Sequence, residues 1–154
     1  MKGLVNFETA KLIAKAGIDF PKTYYVYYTG RNKGTWTHRC CPQTYKFVKR
    51  KHVAAPMIND VIEYLRNEMF IYVEVVIIGL LNNNPAFKYK AHLCEFVPYM
   101  CEIDGITFQK ERCRINLFCQ GKKVLNEYDV CLEQALQHVF ETIIKEKEEK
   151  DDEI

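Results

Sequence analysis

Hydrophobic and polar positions along the chain alternate between two periods, and the changes of period mark the elements. Phe7, Ala10, Ile13 and Ala14 recur at helical spacing behind Asn6, whose side chain can accept from an unpaired first-turn N–H. Gly17 can take the left-handed conformation that ends a helix, and Phe20-Pro21 forces an extended exit. KTYYVYYT, residues 22–29, has strand composition with aromatic side chains on both faces, so both faces are expected to be at least partly covered. Residues 30–53 show no clear period, with short strands expected near 35–38 and 45–48. Pro56 suits the first turn of a second helix, made amphipathic by Ile58, Val61, Ile62 and Leu65.

The second half reads as strands. FIYVEVVII, residues 70–78, is apolar at 71, 73, 75 and 77 and predicts a central strand. Asn82 to Pro85 form a turn, after which Phe87, Tyr89, Ala91 and Leu93 face one side and Lys88, Lys90 and His92 the other. Asp104-Gly105 is a hairpin dipeptide. Over 111–119, Cys113, Ile115, Leu117 and Cys119 share one face, and Arg112, Arg114, Asn116 and Phe118 share the other. Val130, Leu132, Ala135, Leu136, Val139 and Ile143 supply the apolar face of a last helix. The order predicts an α+β fold: a mostly antiparallel sheet of four to six strands with about three helices packed on one face. Residues 1–144 form a single domain in this reading, and 145–154 a charged tail expected to be disordered.

The net charge of +2 hides an asymmetry. Phe20 to Asn59 contains no Asp or Glu but eight Lys and Arg, whereas seven acids face three lysines from Glu141 onward. MKGLVNFETAKL lacks the apolar stretch of a signal peptide, so no secretory signal is expected, and the apolar run VVIIGLL at 75–81 is too short to span a bilayer. Seven cysteines, an odd count, then favour free thiols in a reducing compartment, giving a cytoplasmic protein with no membrane contact.

Three segments carry a family likeness. They are Val5-Asn6-Phe7-Glu8-Thr9-Ala10-Lys11-Leu12, then Ala55-Pro56, then Tyr128-Asp129 through Glu133, Ala135 and Leu136. Together they resemble an uncharacterised family of small α+β proteins encoded by bacteriophages, prophages and mobile elements of gut Bacteroidetes. The resemblance implies a source in a bacterial host cell and a fold. It brings no activity and no site residue with it.

Candidate chemistry is thin. Zinc sites show paired ligands two to four residues apart, twice over, and no such spacing occurs; His38, Cys40 and Cys41 are the nearest approach to a ligand nucleus. No nucleophile elbow, phosphate loop or dinucleotide fingerprint is present, so neither enzyme nor cofactor is expected. Glu74, inside an apolar strand, is the acid whose pKa burial would raise.

Basic residues carry the strongest signal. Lys49, Arg50, Lys51 and His52 precede the second helix, whose free N–H groups also favour an anion. If the last strands pair, Lys88, Lys90, Arg112 and Arg114 would form one cationic surface around Phe118, the combination that single-stranded nucleic acid uses. Such cations are also routine on the wet face of a sheet. The leading expectation is therefore a non-enzymatic accessory protein binding an unidentified protein partner through exposed aromatics at Tyr25, Tyr27 and Trp36. Nucleic-acid or nucleotide binding through 46–52 and the sheet face is the alternative, and pairing of sheet edges would permit a homo-oligomer.

Overall fold

The computed structural model describes residues 3–20, 23–39 and 52–153. Helix α1 (Phe7–Ala16) begins where Thr9 N donates to Asn6 Oδ1 at 2.9 Å, and it ends at Gly17 with φ +76°. Among the described residues three short strands follow, β1 (Tyr25–Tyr28), β2 (Trp36–His38) and β3 (His52–Ala54), paired antiparallel in the order β2-β1-β3. Helix α2 (Ile58–Glu68) is capped at Met57, so Pro56 lies just outside its first turn, fully buried with its carbonyl accepting from Val5 N at 3.0 Å.

The long hairpins come next: β4 (Ile71–Leu81), β5 (Asn84–Ile103) and β6 (Ile106–Gln120), antiparallel in the order β4-β5-β6. Asn82 and Asn83 at φ +52° and +64°, and Asp104 and Gly105 at +53° and +78°, make the tight turns that right-twisted hairpins require. Helix α3 (Tyr128–Asp152) closes the chain. The α+β class and antiparallel pairing are as expected, but the described strands divide into two three-stranded sheets; the strand expected near 45–48 lies outside the described residues. β5 is the centre of the larger sheet and β4 an edge, where the sequence reading placed a central strand.

Among the described residues one core joins the two sheets with α1, α2 and α3. Leu136, Val139, Phe140 and Ile143 of α3 meet Ile71, Ala91 and Cys119 on the inner face of the large sheet, while Val5, Ala10 and Ile13 bring α1 in. α3 continues through the segment expected to be disordered, because Glu and Lys are good helix formers. Lys147 Nζ anchors that stretch by donating to Ala16 O at 2.7 Å.

Candidate interaction surface

An irregularity between β5 and β6 decides which side chains this part of the large sheet shows to water. Ala91 stands opposite Cys119, but His92 stands opposite Leu117, so Phe118 is an extra residue on β6. Such a bulge shifts every side chain beyond it to the other face. Phe118 and Cys119 thus both reach the core side, Phe118 packing against the core cluster. Leu117, Ile115 and Cys113 turn outward beside His92, Cys94 and Phe96. The uniform face expected from Cys113 to Cys119 is therefore broken: Cys119 is buried and Cys113 exposed.

The bulge also separates the cations. Lys88, Lys90 and His92 stand on the outer face with Glu74, which comes within 3.8 Å of His92 Nε2. Arg112 and Arg114 stand opposite Val97 and Glu95 on the inner side, where Arg112 lies over the Tyr99 ring at 5.5 Å. The single cationic surface around Phe118 does not form, although the two strands pair as expected. Glu74 is exposed on its edge strand rather than buried.

Lys49, Arg50, Lys51, Cys40 and Cys41 lie outside the described residues. His52 is half-buried in β3, its Nε2 accepting from Arg39 Nη2 at 2.8 Å while its ring packs on Tyr28. His38 stacks on Tyr24 at 6.2 Å and meets Tyr25 edge to face at 5.1 Å. Among the described residues no three His, Cys, Asp or Glu side chains converge as a metal site. Trp36 is exposed and packs edge-on against Tyr25, which is half-buried. Tyr27 is no surface residue: it is buried, and its hydroxyl donates to Val5 O at 2.6 Å.

What the outer face does present is apolar. Adjacent cross-strand rows carry Phe70 beside Cys94 and Ile115, Tyr72 beside His92 and Leu117, and Phe96 beside Cys113. Phe70, Tyr72, Phe96, Ile115 and Leu117 are 45–66% exposed. That leaves on the order of 500 Å² of contiguous apolar surface in water, toward the upper end of what monomers leave open. A disulfide joins Cys94 to Cys113 in its midst. It sits where the sheet narrows, since β4 pairs only as far as Leu93 and β5 and β6 run on as a two-stranded ribbon to Ile103 and Ile106. The disulfide departs from the free thiols expected for these residues.

Phe70 occupies a left-handed backbone conformation, φ +56°, that costs a bulky residue about 1–2 kcal/mol. Its carbonyl accepts from Cys94 N at 2.8 Å, and its ring meets Phe96 edge to face at 5.9 Å. The strain holds an aromatic ring out in solvent. Alternation counted from β6 alone could not reveal this surface, because the bulge at Phe118 reverses it.

Elsewhere, Asp19, Asp60, Glu63 and Glu68 ring a cavity of about 450 Å³ beside Phe20 and Tyr64. Burial, and then Glu68, raise the Tyr64 pKa.

Neither family models, nor curated proteins, nor solved structures match this chain. Among the described residues no helix is long and apolar enough to cross a membrane.

Proposed function

We propose that the protein is a non-enzymatic binding module that receives a protein partner on the outer face of β4-β5-β6. The observation that carries this reading is the contiguous patch of Phe70, Tyr72, Phe96, Ile115 and Leu117, held partly by a strained backbone. Large apolar surfaces rimmed by polar residues mark association sites, and Lys88, Lys90 and Glu74 supply such a rim here. A protein fits better than a polynucleotide because Ile115 and Leu117 cannot stack on bases as rings do. The cations are also divided between the two faces, which weakens any phosphate track. An accessory role for a phage or mobile element of a bacterial host is the setting that the likeness of the helix segments adds.

The test is affinity purification from host lysate with the wild-type chain and with Phe96→Glu and Leu117→Lys, each with and without nuclease. The expected result is a partner protein retained by the wild type after nuclease and high salt, and lost from both variants. Capture that survives both substitutions, or that disappears on nuclease treatment, overturns the reading.

A further inference from the structure

Among the described residues β4 has an unpaired edge, and its hydrogen-bonding pattern is determinable. Cys94 N donates to Phe70 O at 2.8 Å, and the ladder continues from there with Ile71 opposite Leu93. Antiparallel pairs alternate between those that exchange main-chain hydrogen bonds and those that do not. Tyr72, Glu74 and Val76 therefore turn their main-chain groups toward β5, while Ile71, Val73, Val75 and Ile77 turn theirs away. The other side of β5 agrees: Phe87 N bonds to Leu125 O at 2.7 Å, and Tyr89 O accepts from Gly121 N at 3.0 Å. Ile71 is buried, but Val73 and Val75 are only half-buried and Ile77 is exposed. Among the described residues, no strand pairs with this side of β4.

Native sheets usually blunt such an edge with lysine, proline or a bulge. From Ile71 to Ile77 the strand carries one charge, Glu74, and no lysine or proline, and its bulge comes only between Ile77 and Gly79. The opposite edge, β6, carries Lys110, Glu111, Arg112 and Arg114.

We infer that β4 pairs antiparallel with β4 of a second copy of this chain across a two-fold axis. The outward-facing groups restrict the register. An axis at Glu74 would set the two Glu74 side chains directly opposite, which is destabilising. An axis at Val76 would bring Val73 opposite Gly79, beyond the bulge. An axis at Val75 pairs Val75 with its own copy and Val73 with Ile77, uses every outward N–H and C=O of the three residues, and sets Glu74 opposite Val76. Ile77, Ile78 and Leu80, 69%, 49% and 75% exposed, lie along the same edge. Covering them with the strand removes on the order of 600 Å² per chain from water, near the lower bound for a stable interface. The product is a six-stranded sheet bearing two apolar patches on one continuous outer face.

This inference rests on the strand edge and not on the partner surface, so either can fail without the other. The experiment is sedimentation velocity and light scattering on the full chain across a concentration series, with Ile77→Lys and Val75→Pro alongside. Lysine at exposed Ile77 blocks the edge without touching the core. Proline at Val75 removes an N–H that the β4–β5 ladder does not use. The expected wild-type mass is twice 18.2 kDa, with both variants at 18.2 kDa and unchanged far-ultraviolet circular dichroism. A wild-type chain that stays monomeric at every concentration overturns the inference, as does a dimer that survives Ile77→Lys. Amide exchange adds a second readout: the Val73, Val75 and Ile77 amides are slow in the wild type and fast in Ile77→Lys. Slow exchange in a monomer would mean that another segment of the same chain covers the edge, which also overturns it.

Discussion

The Tyr27 hydroxyl donates to the main-chain carbonyl of Val5 at 2.6 Å, tying β1 of the small sheet to the segment that leads into α1. Both groups are buried, and the ring packs edge-on against Phe7 at 5.8 Å. Burial, with Glu133 adding to it, raises the Tyr27 pKa, so the hydroxyl keeps its proton. Tyr27→Phe preserves the packing and leaves the Val5 carbonyl without this donor. A loss of about 1–3 kcal/mol is expected, the cost of a buried unsatisfied acceptor. Urea unfolding monitored by circular dichroism measures it; a change near zero would mean that water replaces the hydroxyl.

Glu133 on α3 secures the start of α1. One carboxylate oxygen accepts from Asn6 N at 3.0 Å and the other from the fully buried Thr9 hydroxyl at 2.8 Å. Burial nevertheless raises its pKa above the ordinary 4.5, outweighing the lowering by those two hydrogen bonds. The folded chain then holds this proton more tightly than the unfolded chain. Its contribution to stability is fully present below pH 4.5 and falls as pH rises through the raised native value. Glu133→Gln should flatten that part of the stability–pH curve, and Glu133→Ala should cost about 1–3 kcal/mol by stranding Thr9. Chemical denaturation of the three proteins at pH 4, 5, 6 and 7 reads both effects.

How much of this was legible in the chain depends on whether a local rule held. Asn6 caps α1 through its side chain and Gly17 ends it because it has none, and Asp104-Gly105 turns the ribbon as that dipeptide favours. The edge position of β4 was not legible, because Ile71, Val73 and Val75 are apolar for their contact with α3 and the core, which a strand at an edge also needs. The outer patch was hidden more deeply. Nothing local to Phe118 announces a bulge, and a slip of one residue exchanges Cys113, Ile115 and Leu117 with Arg112 and Arg114 between faces. Tyr25 and Tyr27 lie two residues apart on one strand, and only the tertiary position of Val5 distinguishes the buried, bonded hydroxyl from the half-buried ring.

The Cys94–Cys113 link closes a loop with a sequence separation of 19 around a ribbon that, among the described residues, no third strand supports. Two-stranded ribbons are marginal in water on their own. A cross-link of this span is worth about 3 kcal/mol in the chain-entropy view. Peptide mapping under non-reducing conditions should recover the linked pair. Cys113→Ser should speed amide exchange in 95–112 while leaving α1 and α3 unchanged. Uniform faster exchange would show that the ribbon is coupled to the whole core.

Free thiols should differ in reactivity according to burial. Cys119 is buried beneath α3 and its pKa is pushed up to about 11, and burial raises Cys131 as well. Cys101, on the ribbon, is half-exposed. Thiolate is the nucleophile, so a maleimide at pH 7.5 should label Cys101 well before Cys119 or Cys131 in the native protein. Equal rates for all three would place Cys119 outside the core and undo the register assigned to β6.

Phe70 offers the sharpest separation of stability from binding. Replacing it with glycine relieves a left-handed backbone that costs a bulky residue about 1–2 kcal/mol. The change also forfeits the edge-to-face contact with Phe96, about 0.5–1.5 kcal/mol, and adds freedom to the unfolded chain. These effects oppose one another, so Phe70→Gly should leave stability within about 1 kcal/mol of wild type, where a core Phe→Ala costs about 3–5 kcal/mol. On the outer face the same change deletes an exposed aromatic anchor, and partner affinity should fall about 30-fold, the equivalent of a hot-spot loss of about 2 kcal/mol. Thermal melts and binding to the partner recovered by affinity purification measure the two quantities on one variant. Destabilisation of 3 kcal/mol or more with affinity intact would make Phe70 a packing residue and remove the central argument for the outer face as the docking surface.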